Sequence, residues 1–119
     1  MNKSRRDDND HMIDARTLAK YEARAKIVKA LAHPARLLIV DELSQNGERC
    51  VCELTEMIGS DMSTVSRHLA QLKQAGVIVD EKRGQMVFYR LRVKCLLKFF
   101  DCIESVMQCN ARDQQELLS

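Results

Sequence analysis

The chain has 119 residues, one domain's worth, and its 45% hydrophobic and 30% charged residues are an ordinary balance for a soluble, folded protein. Nineteen Lys and Arg against 17 Asp and Glu leave a formal charge of +2, which excludes a basic coat over the whole chain and says nothing of where the charge sits. The length excludes a large multi-substrate enzyme, and no run reaches the roughly 18 apolar residues of a membrane span.

Residues 1–12 are expected to form a disordered tail. Met1 to Asp10 is polar and has no apolar signal core, so the expected compartment is the cytoplasm. Thiols stay reduced there, and five Cys then read as metal ligands, reactive thiols or core fillers rather than disulfides.

A single domain is expected over 13–109. Leu18, Tyr21, Ala25, Val28 and Ala32 recur three and four apart and predict a helix over 14–32. Pro34 suits the first turn of a second helix, 34–45, with Leu38, Ile39 and Leu43 inward. Val51, Leu54 and Ile58 predict a short third helix over 50–58. Val65, Leu69 and Leu72 predict a fourth over 62–75, capped by Ser60 or Asp61. Gly47, Gly59 and Gly76 follow helix ends, where left-handed residues are common. Val77–Glu81 and Gln85–Leu91 predict a β-hairpin with Gly84 at its tip. A last helix is expected over 93–109, followed by a flexible tail over 110–119.

The third and fourth helices around Gly59 make a helix-turn-helix candidate. Opposite the apolar stripe of the fourth helix lie Ser63, Arg67, Ala70 and Gln74, with Thr64 and Gln71 beside them and Ser66 and His68 on the flanks. Hydroxyls, amides and Arg bond phosphates and base edges. Residues 60–95 hold seven bases and three acids, +4, and the remainder is −2. The candidate DNA contacts are Ser63, Thr64, Ser66, Arg67, His68, Gln71 and Lys73 on the helix, with Lys82, Arg83 and Gln85 on the hairpin as a wing against phosphates or the minor groove.

Ala30–Leu37 (ALAHPARL), Cys50–Leu54 (CVCEL), Ser63–Leu69 (STVSRHL), Gly76–Ile78 and Phe88–Leu91 (FYRL), in this order, resemble the ArsR/SmtB family. The resemblance covers about residues 20–108. It implies a mainly α fold with a β-hairpin wing: a winged helix-turn-helix, homodimeric through its first and last helices. It implies a repressor of double-stranded operator DNA, not an enzyme, that needs no cofactor to bind DNA and leaves it when a metal or metalloid binds. The last helix fits a dimer, since its apolar residues cover about half its circumference. The expected interface is Leu18, Tyr21, Phe99, Phe100, Ile103, Val106 and Met107.

Cys50 and Cys52 sit where the resemblance places soft ligands of the arsenite and cadmium/lead sensors. Thiolates suit such ions, and As(III) favours three sulfurs. The expected inducer is As(III) or Sb(III). The departure is Thr55, where the arsenite pattern has a third Cys. Residues i and i+2 of a helix point about 200° apart, so both thiolates can hold one ion only if the first turn is extended or unwinds. Cys95, Cys102 and Cys109 recur every seven residues, about 10.5 Å apart along a helix, too far for two to share an ion. At most one of them is expected to join the pair, from its own or the partner chain, Cys102 first and Cys95 second. The alternatives are a redox or reactive-sulfur sensor of the same fold, a Cd-, Pb- or Zn-responsive repressor, or small core hydrophobes. His33 is expected to be a structural cap or core residue.

Overall fold

A computed structural model describes residues 12–118. The elements run α1 (Ala15–Leu31), α2 (Pro34–Asn46), β1 (Arg49–Cys50), α3 (Val51–Ile58), α4 (Met62–Gln74), β2 (Ile78–Arg83), β3 (Met86–Leu91) and α5 (Leu96–Leu118). The mainly helical fold with a hairpin wing is the expected one. Most of the expected tail over 1–12 lies outside the described residues.

Local chemistry sets the helix starts. Asp14 accepts the Thr17 N–H at 2.7 Å, and the His33 ring Nδ1 accepts the Ala35 N–H at 3.0 Å ahead of Pro34. Asp61, one of the two expected caps, accepts the Thr64 N–H at 2.7 Å. Gly59 ends α3 at φ +79°, a left-handed turn that costs a side-chain-bearing residue about 1 kcal/mol or more. The two-residue tip of the hairpin places Gly84 at φ +63°.

The core is one cluster. Val65, Leu69 and Leu72 of α4 are fully buried against Leu54 of α3, Ile39 and Val40 of α2, and Ile78 of β2. Each such side chain contributes about 1.5–3 kcal/mol by leaving water. The expected stripe of α4 is therefore the buried one. In α2 the stripe is rotated from expectation: Val40 is buried and Leu38 faces out.

Four boundaries differ from expectation. A third strand, β1, pairs antiparallel with β3, with Arg49 opposite Tyr89 and Cys50 opposite Phe88, giving the sheet order β1-β3-β2. Two residues are too few to carry a period-2 signal. Cys50 thus lies in extended backbone before α3 rather than inside it. The last helix starts at Leu96, after Cys95, and its helical conformation continues to Leu118 through most of the expected tail. None of its residues is buried; Leu96 and Phe100 anchor it to the core edge. Leu18, Tyr21 and Val28 of α1 and Phe99, Ile103, Val106 and Met107 of α5 are likewise exposed in the single chain.

Leu69→Ala is expected to cost about 2–5 kcal/mol, because the α4 stripe has no room to collapse around the cavity. Urea unfolding will show a lower midpoint at an unchanged m-value.

Candidate nucleic-acid interface and thiol site

The burial of Val65, Leu69 and Leu72 turns Ser63, Ser66, Arg67, Ala70, Gln71 and Gln74 to solvent. Ser63 Oγ donates to Asp61 Oδ1 at 2.9 Å, and Arg67 Nη2 donates to Thr64 Oγ1 at 3.4 Å. The N-terminal turn of α4 is thereby arranged before any partner arrives. The Thr64 N–H holds the Asp61 carboxyl below its usual range, so the cap is ionised at neutral pH.

Three of the candidate DNA contacts are engaged within the chain. His68, expected on a flank of the α4 face, is half-buried there. Its Nδ1 accepts from Arg36 Nε at 3.1 Å, its ring lies 4.4 Å from that of His33, and Arg36 Nη1 also donates to the Ala30 carbonyl at 3.2 Å. His68 therefore ties α4 to the start of α2 and the end of α1. Arg83 is held by Glu48 through two bonds of 2.7 and 2.6 Å and by Glu81 at 3.0 Å, while its guanidinium covers the Phe88 ring at 4.7 Å. Lys73 pairs with Asp80 at 3.0 Å. Glu48 lies outside residues 60–95 and offsets one charge of the local +4, which already counts Asp80 and Glu81; Lys82 and Gln85 are the exposed polar groups left at the wing tip beside a compensated Arg83. A contact between residues 35 apart in the chain leaves no trace in periodicity or spacing.

The thiol pair also differs from a helical pair. Cys50 has extended backbone, φ −86° and ψ 166°, and Cys52 lies in the first turn of α3. Their sulfurs are 3.4 Å apart. Two thiolates each about 2.3 Å from a tetrahedral ion lie roughly 3.8 Å apart, so the pair already fits one soft ion without unwinding α3. Cys50 is buried and Cys52 exposed. Burial pushes the Cys50 thiol up, helped by the neighbouring thiol and carboxylate. The Cys50 N–H donates to Glu53 Oε1 at 2.9 Å, which holds that carboxylate below its usual range.

Among the described residues no group of three His, Cys, Asp or Glu comes together to hold an ion. Cys95 and Cys102 therefore do not join the pair within one chain. Both are exposed, and so is Cys109, which accepts a 3.7 Å contact from Arg112. The cause is the placement of α5, which touches the core only near its N-terminal end.

His68 supplies a pH test. Burial, then the nearby His33, Arg36 and Arg67 charges, lower its pKa below the usual 6.5. The unfolded chain therefore takes up that proton first, and the stability present above pH 6.5 is lost as pH falls through that value. Urea unfolding at pH 7.5 and 5.5 will show the loss, and His68→Gln, which keeps an acceptor but cannot titrate, will reduce it.

Comparison with known proteins matches residues 33–79 to the family of bacterial regulatory proteins called the arsR family. The chain is 39% identical over 87 residues to the HTH-type transcriptional regulator MJ1325 of Methanocaldococcus jannaschii, covering 71% of this chain and 98% of that one. It is 43% identical over 65 residues to the arsenic resistance transcriptional regulator ArsR1 of Pseudomonas putida, covering 55% of this chain and 51% of the relative, so it spans about half of that protein. The homodimeric winged helix-turn-helix DNA-binding domain of Mb0332 from Mycobacterium bovis superposes with a TM-score of 0.72 at 29% identity, over 85% of this chain and 93% of that one. A capped helix-turn-helix, a hairpin wing and these likenesses converge: the chain belongs to the ArsR family of winged-helix transcriptional regulators.

Proposed function

We propose that this protein binds operator DNA as a homodimer, represses transcription there, and is released by As(III), or Sb(III), held by cysteine thiolates. The observation that carries the inducer half is the 3.4 Å separation of the Cys50 and Cys52 sulfurs at the start of the helix-turn-helix. Likeness to an arsenic resistance regulator supports the same choice. The ion when bound supplies a thiophilic centre that replaces thiol protons with metal–sulfur bonds.

Release follows from where Cys50 sits. Its backbone pairs with Phe88 of the wing strand β3, its N–H is held by Glu53 of α3, and its thiol points into buried surroundings beside Cys52. One residue thus belongs to both DNA-contacting parts, the wing and the helix-turn-helix. A third ligand on the same ion would draw the Cys50 sulfur outward, and the β1–β3 pairing that Cys50 makes would shift with it. A state in which α4 and the wing no longer fit one duplex is then favoured by the binding energy of the ion. The third sulfur is assigned to the partner subunit, with Cys102 preferred to Cys95. The exposed apolar faces of α1 and α5 give the dimer its contact: Leu18 and Tyr21 on one helix, and Phe99, Ile103, Val106 and Met107 on the other, with the half-buried Phe100 at their edge. The DNA contacts assigned are Ser63, Thr64, Ser66, Arg67 and Gln71 of α4, with Lys82 and Gln85 of the wing.

A gel shift on the duplex upstream of the protein's own coding sequence, with and without arsenite, tests this reading. Wild type is expected to bind and be released. Cys52→Ser will bind DNA as well as wild type and need at least tenfold more arsenite for release. A normal response of that variant overturns the ligand assignment, and release by peroxide but not arsenite replaces it with a redox sensor.

A further inference from the structure

The DNA-binding reading leaves a charge question. A regulator that grips a duplex neutralises several phosphates, yet Arg83 and Lys73 are both compensated by carboxylates of the same chain. The structure offers uncompensated bases elsewhere. A groove of about 730 Å³ runs between the end of α1, the start of α2 and the second half of α4. Its polar lining is Lys26 and Lys29 of α1, Arg36 of α2, and Gln71 and Gln74 of α4, and the remainder is alanine. No carboxylate lines it. Among the described residues no acid pairs with any of the three bases, and Arg36 donates only to neutral acceptors, His68 and the Ala30 carbonyl. A second groove, beside Arg90, Arg92 and Lys94, is lined in part by Glu48, which already binds Arg83.

Geometry connects the first groove to the duplex that α4 would read. Thirteen helical residues make α4 about 20 Å long, whereas the major groove is about 12 Å wide. With Ser63, Thr64 and Arg67 at the base edges, the second half of the helix emerges over the sugar-phosphate backbone. Gln71 and Gln74 lie on that half, and Lys26, Lys29 and Arg36 face them across the groove. Amides and cations together are the donors that phosphate oxygens take.

We propose that this groove binds the DNA backbone at the edge of the major groove, with Lys26 and Lys29 as phosphate contacts that add affinity but no sequence preference. The inference rests on the DNA-binding reading and extends the contact surface to α1, a helix outside the helix-turn-helix and the wing.

The test is the salt dependence of binding, measured on the upstream duplex and on an unrelated duplex of equal length. Each phosphate contact contributes about 0.9 to the slope of log K against log salt. Lys26→Ala with Lys29→Ala is expected to lower the slope magnitude by about 1.8 per protomer and to weaken binding alike on both duplexes. Lys26→Arg with Lys29→Arg, which keeps the charge, is expected to retain the wild-type slope. A wild-type slope in the alanine variant overturns the groove assignment and leaves the repressor reading standing, and so does a slope lost equally in the arginine variant. Absence of binding by wild type on either duplex overturns the repressor reading, and the groove with it.

Discussion

Everything on the candidate DNA face depends on the rotation of α4 about its own axis. Val65, Leu69 and Leu72 set that rotation by being withdrawn completely from water against Leu54, Ile39, Val40 and Ile78. A turn of one residue, about 100°, would expose the stripe and bury Ser66, Ala70 and Lys73 in its place. Loss of three large side chains from the core would cost several kcal/mol, a large part of what holds a domain of this size together. The orientation of Ser63, Arg67 and Gln71 is thus a consequence of packing on the opposite side of the helix. The Gly59 turn and the Asp61 cap then fix where that helix starts.

A second layer of contacts holds α4 from its polar side. His68, Arg36 and His33 clasp it to α2, and Lys73 ties it to Asp80 of β2. His68 and Lys73 are polar, lie in the right segment and are expected from the sequence to meet a nucleic acid. The structure uses their hydrogen-bonding capacity within the chain. Exposed ion pairs of this kind contribute little to stability, about 0–1 kcal/mol each. Their larger effect is on charge: each paired base presents less net field to a polyanion, whereas among the described residues Lys26, Lys29, Arg67 and Lys82 pair with no acid.

The thiol pair follows the same logic of adjacency. As two residues of a helix, Cys50 and Cys52 would point apart. Because Arg49 and Cys50 are drawn into the sheet beside Tyr89 and Phe88, Cys50 is extended and its sulfur meets that of Cys52. The site therefore needs no unwinding of α3, only a shift of the strand residue that the wing and the helix share. The two-residue strand that creates this arrangement is stabilised by partners nearly forty positions later, which is why no local pattern foretells it.

The amino-acid sequence alone determined the helices, the hairpin, the capping of α2 and α4, and the buried stripe of α4. Those features arise from interactions within a few residues, which leave periodicities and turn residues to read. It also determined the family, through separated motifs in order. The tertiary structure decided which bases are compensated, that His68 turns inward, that Leu38 rather than Val40 faces solvent, that Cys50 is a strand residue, and that no chain by itself brings Cys95 or Cys102 to the pair. Each of these depends on residues far apart in the chain meeting in space, and the energy of such a meeting is set by geometry that spacing does not encode.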